Sequence, residues 1–121
     1  MLDLTLYSQD KEEAEVVEVS AEFYEWLAKS EFSKIGKSRK KEMKSDGEPV
    51  KVSVIELGVI NRRKLSKFLR DAIVQEDDEM LNRLGNSPST QEFQDATAKL
   101  IMLQNLRKSI ENEHYKYLQR A

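Results

Sequence analysis

A chain of 121 residues, 39% hydrophobic and 35% charged, has apolar side chains enough for one core and hardly for two, which places it outside the disordered classes. It has no cysteine, which excludes a disulfide framework, a thiol nucleophile and a thiolate zinc site. The formal charge of −2 hides a segregation: residues 1–31 carry nine acids and two bases, and residues 34–44 carry six bases and one acid, so local fields say more about partners than the total does.

The first residues lack the basic and apolar stretches of a signal peptide, and no run approaches the ~18 apolar residues that span a bilayer. A cytoplasmic protein with no membrane contact is therefore expected. Leu2, Leu4 and Leu6 alternate with Asp3, Thr5 and Tyr7, the period of a half-buried strand. A polar turn, Ser8–Glu13, leads to a second strand at Val16–Val19, close enough for an antiparallel hairpin. Ser20 then caps a helix predicted over Ala21–Phe32, with Phe23, Trp26 and Leu27 on one face. Aromatic side chains at that spacing belong to a core more often than to a ligand box.

Between Ser33 and Pro49, glycines at 36 and 47 and a nearly continuous run of charge predict an irregular, flexible basic loop. Val50, Val52, Val54 and Leu57 predict a strand over Val50–Leu57. Asn61 suits the cap of a helix over Arg62–Leu84, striped by Leu65, Phe68, Leu69, Ala72 and Ile73. Gly85 and Pro88 break it. A last helix is predicted from Thr90 to Leu118, striped by Phe93, Ala96, Leu100, Leu103, Leu106 and Ile110. The expected fold is α+β, in the order β-β-α-β-α-α: a small three-stranded, mostly antiparallel sheet on helices, closed by a C-terminal helical hairpin, all in a single domain. The final helix would be ~43 Å long, against a diameter of ~35 Å for a compact chain of this size. Tyr115, Tyr117 and Leu118 are accordingly expected to pack on the N-terminal hairpin or on a second subunit, which would make a homodimer through this helix.

Catalytic patterns are sparse. The four glycines are scattered at 36, 47, 58 and 85, so no phosphate-binding loop or nucleophile elbow can be written. His114, the one histidine, stands three residues after Glu111, half of a helical di-metal motif that needs a second copy; a polar residue at a helix C-terminus explains it as well. The run Glu76–Glu79 splays around its helix and cannot converge on one cation. No metal, cofactor or catalytic residue is assigned.

The basic residues carry the functional expectation. Lys37, Arg39, Lys40 and Lys41 crowd the loop, and Arg63, Lys67 and Arg70 share a face of the second long helix. Cations in the first turns of a helix oppose its dipole, so something must compensate them. The acid-rich N-terminal region is one internal candidate, an acidic partner protein a second and nucleic acid phosphates a third. The low pI of about 5.6 and the lack of an aromatic among these bases to stack a base weigh against nucleic acid. The expected function is a non-enzymatic protein-binding domain of bacterial or phage type, such as an immunity protein that neutralises a toxin or other enzyme. The alternative is a nucleic-acid-associated regulator using the same basic residues.

Overall fold

The computed structural model describes residues 2–10, 13–45, 47–84 and 90–120. It is a mixed α+β structure with the order β1 (Leu2–Ser8), β2 (Ala14–Val19), α1 (Ala21–Lys29), a 3-10 turn (Glu31–Lys34), β3 (Arg39–Ser45), β4 (Glu48–Glu56), α2 (Val59–Leu84), α3 (Thr90–Glu111) and β5 (Tyr115–Gln119). The strands form one antiparallel sheet in the order β2-β1-β5-β4-β3. The predicted class holds, but the sheet has five strands where three were expected. Among the described residues no helix is long and apolar enough to cross a membrane. The expected break at Gly85–Pro88 lies outside the described residues.

Both additional strands were hidden by charge or by helical spacing. The expected basic loop contains β3, whose Arg39–Ser45 pair antiparallel with Val54–Glu48 of β4. Val50, Val52 and Val54 required a partner strand, and the nearest chain able to supply one carries a single apolar side chain, the buried Met43. Lysines suit such an edge because they discourage pairing with another chain. Gly47 in the connecting turn has φ 82°, a left-handed conformation that favours glycine.

The expected helix from Thr90 to Leu118 ends at Glu111. The backbone N–H of Asn112 bonds back to Ser109, the Asn112 side-chain oxygen accepts from the backbone of His114, and Tyr115 N–H closes on the Asn112 carbonyl. An asparagine that satisfies backbone groups in this way ends a helix as a glycine would. The chain then returns as β5, which pairs with β1 on one side and β4 on the other. The length conflict is thus resolved by reversal, and Tyr115, Tyr117 and Leu118 pack on the N-terminal hairpin within the chain.

Period-two alternation assigns the two faces of the sheet. Leu4, Leu6, Val17, Val19, Ile55 and Leu118 point towards Phe23 and Leu27 of α1, Leu65, Leu69 and Ile73 of α2, and Leu103, Leu106 and Ile110 of α3, making the main core. Tyr7, Met43 and Val54 form a smaller cluster on the other face, flanked by Val52 and Tyr117. Helix α1 is three residues shorter than expected. Ser20 does cap it, and Ser30 both ends it and caps the 3-10 turn that buries Phe32. The aromatic residues of α1 serve packing: Trp26 lies 5.7 Å from the rings of Phe23 and Phe68, and the Tyr24 hydroxyl donates to the Arg120 carbonyl. Helix α2 starts at Val59, so Asn61 is not its cap; its side-chain amide instead donates to the Glu56 carbonyl.

Candidate functional site

The junction of β4 and α2 meets the C-terminal end of α3 and the start of β5 around an open cleft of about 750 Å³. Its geometry depends on Arg62. This guanidinium donates to the carbonyls of Leu57, Ile110, Asn112 and Tyr115, at 2.5 to 2.9 Å. It therefore ties the end of β4, the last turn of α3 and the first residue of β5 to the first turn of α2. A cation on the free carbonyls of a helix C-terminus is favourably placed against that helix's dipole. Desolvation by burial pulls the Arg62 pKa down, and the Glu113 carboxylate opposes that shift.

One turn further along α2, Glu111 accepts from Ser66, from Arg70 at 2.6 Å and from Arg107 at 3.2 Å. Burial alone would raise the Glu111 pKa. The hydrogen bonds from Arg70, Ser66 and Arg107, with the charge of Arg107, outweigh burial and hold it below the ordinary carboxylate value. A carboxylate depressed in the folded state contributes stability above its unfolded value of ~4.3 and loses it as pH falls through the folded value. Replacing Glu111 with Gln should therefore destabilise by about 1 kcal/mol at pH 7, the scale of a charge-assisted hydrogen bond less what the amide retains. That difference should shrink as pH falls below the unfolded value and through the lower folded one. Urea midpoints of both proteins across this range check it, and an equal difference at both ends would contradict the assignment.

These contacts identify what compensates the cations of α2. It is not the acid-rich N-terminal region but the end of α3, through Glu111 and the carbonyls on Arg62, together with Asp71, which accepts from Lys67 at 2.8 Å. The expected binding residues therefore divide. Lys67 and Arg70 are engaged along α2. Lys41 bridges to Glu56 at 3.1 Å and stands 5.0 Å from the centre of the Tyr117 ring, at the rim of the cleft. Arg63 lines the cleft, is exposed, and has no ion pair among the described residues. Lys37, Arg39 and Lys40 are likewise exposed without one. Gly36, with φ 76°, sets Lys37 beside α2: a Cβ at 36 would stand 3.0 Å from the Asn61 amide nitrogen. Arg39 and Lys40 lie on the outer strand.

Lys116 completes the group and was missed. It also lines the cleft and forms no ion pair among the described residues. The alternation Tyr115-Lys116-Tyr117-Leu118 could have revealed its strand, but that pattern was absorbed into the helical spacing before it. His114 does not join Glu111. It sits beyond the end of α3, and its Nε2 meets Glu13 at 2.5 Å. The half-motif for a di-metal site is therefore not assembled. Among the described residues no three acids or histidines converge to hold a metal ion. Glu76 is taken up by Lys99 at 2.8 Å.

No protein-family model, curated protein or solved structure matches the chain.

Proposed function

We propose that the chain is a non-enzymatic protein-binding domain whose cleft between β4, α2 and β5 receives an acidic surface of another protein. The observation that carries this reading is the pair Arg63 and Lys116: both line the cleft without an ion pair among the described residues, whereas Glu56 and Glu111 of the same lining are engaged by Lys41, Arg70 and Arg107, which leaves Glu113 as its remaining carboxylate. Charges held spare at a concave site give a partner electrostatic steering and little else to overcome. Lys41 at the rim, with Lys37, Arg39 and Lys40 beyond it, extends the positive field. A domain of this kind suits an inhibitor that covers a partner's site, as an immunity protein does with its toxin. That role is the finer form of the proposal.

The test is comparative capture under cross-linking from the source cell, with the native chain and with Arg63→Glu/Lys116→Glu. An acidic protein held by the native chain, lost by the variant and regained with purified components supports the reading. Loss of RNA or duplex DNA in place of a protein would install a nucleic-acid-associated regulator instead. Identical captures from both proteins would overturn the role of the cleft.

A further inference from the structure

The two outer strands of the sheet are unequally protected. Strand β3 carries Arg39, Lys40, Lys41 and Lys44, whereas β2, Ala-Glu-Val-Val-Glu-Val, carries neither lysine nor proline. Unguarded edges invite pairing with another chain, and natural proteins block them with lysine, proline, bulges or a covering element. Here the β2 edge opens onto a groove of about 450 Å³ between Glu15–Glu18 and Asn105, Lys108 and Ser109 of α3.

The register shows which backbone groups are available. Ser8 N–H donates to the Glu13 carbonyl at 2.9 Å, and the same antiparallel ladder pairs Leu6 with Glu15 and Leu4 with Val17. Alternation then turns the N–H and C=O groups of Ala14, Val16 and Glu18 away from β1. No hydrogen bond among the described residues engages them. The Val16 side chain is 52% exposed on the sheet face away from the helices.

Charge selects the occupant. Asp3 stands directly opposite Glu18 in the register, both exposed and neither in an ion pair among the described residues. Like charges in directly opposed strand positions destabilise a pair. A lysine or arginine on a strand added beside Glu18 would relieve this repulsion, whereas a second copy of β2 would add carboxylates to it. We propose that the β2 edge binds an extended, basic segment of another protein by strand addition, with basic side chains on the face of Asp3 and Glu18 and the opposite face over Asn105 and Lys108. Main-chain bonds to Ala14, Val16 and Glu18 would supply affinity, and the carboxylates would supply selectivity. This site lies at the sheet edge opposite β3 and is independent of the cleft lined by Arg63 and Lys116.

Backbone amide exchange tests it with a defined probe, the capped peptide Thr-Lys-Val-Lys-Val-Lys-Thr, compared with its counterpart bearing glutamate for lysine. The basic peptide should slow exchange at Val16 and Glu18 at least tenfold and bind severalfold more weakly at 200 mM than at 50 mM salt. The acidic peptide should do neither. Val16→Pro removes an N–H that β1 does not use, so the fold should persist while protection by the peptide is lost. Glu18→Lys, which leaves the backbone intact, should weaken binding at least tenfold and shows whether loss in the proline variant reflects misfolding. No protection by the basic peptide, or protection that survives both substitutions, would overturn the proposal. So would a peptide-free dimer in sedimentation that Val16→Pro dissolves, which would assign the edge to a second copy.

Discussion

Ending the chain after Glu113 should abolish cooperative folding. Strand β5 lies in the middle of the sheet, and without it β2–β1 and β4–β3 are no longer joined by hydrogen bonds. The truncation also removes Leu118, fully buried in the main core, and the ring of Tyr117 beside the second cluster. A fully buried leucine contributes ~2–3 kcal/mol and each ladder bond ~1 kcal/mol. The losses together are comparable with the ~5–15 kcal/mol by which a domain is stable. The expected result is a featureless urea titration and a collapsed near-ultraviolet dichroism signal. The point substitution Leu118→Ala should leave a folded protein destabilised by about 3 kcal/mol. A truncated chain that still unfolds cooperatively, within 1 kcal/mol of the intact one, would show that β5 does not hold the sheet together.

The second large effect is expected at Arg62. Methionine at 62 keeps most of the side-chain volume and removes all four hydrogen bonds to the carbonyls of Leu57, Ile110, Asn112 and Tyr115. Some of those carbonyls would regain water at the open cleft. The cost should therefore be about 3–4 kcal/mol, below the sum of four separate bonds. Arg63→Met, one residue along, should cost under about 0.5 kcal/mol, since Arg63 is exposed and makes no ion pair among the described residues. Urea midpoints of the two variants decide the matter, and equal costs would refute the division between a structural and a spare arginine.

That division was not legible in the sequence, where Arg62 and Arg63 are adjacent bases in a cationic helix start. What separates them is the end of α3, brought close only by the tertiary fold. The hairpin of β1 and β2, the core stripe of α2 and the cap at Ser20 were legible because each is encoded by spacing within about ten residues. Strand β3 was not. Its period-two signal consists of one methionine among lysines, and its stability comes from pairing with β4. Strand β5 was missed for a different reason: the apolar stripe of α3 runs on in phase into Tyr117 and Leu118, and the turn that interrupts it uses Asn112 where a glycine or proline would have been conspicuous. The basic residues stand out in the sequence as a group, and the internal compensation expected for them was the acid-rich N-terminal region. Glu111 and Asp71 do that work for Arg70 and Lys67, and this leaves Arg63 and Lys116 at the cleft with no ion pair among the described residues.

The central claim is that these two side chains are held for an acidic partner. Its most direct measurement is the association rate of the purified pair, followed by stopped flow between 50 and 300 mM salt for the native chain and for Arg63→Glu/Lys116→Glu. Cleft cations that steer encounter predict a rate that falls steeply with salt for the native chain. In the variant the rate should be at least tenfold slower at low salt and nearly flat, with urea stability within about 1 kcal/mol of native. Equal rates and equal salt slopes for the two proteins would contradict the claim.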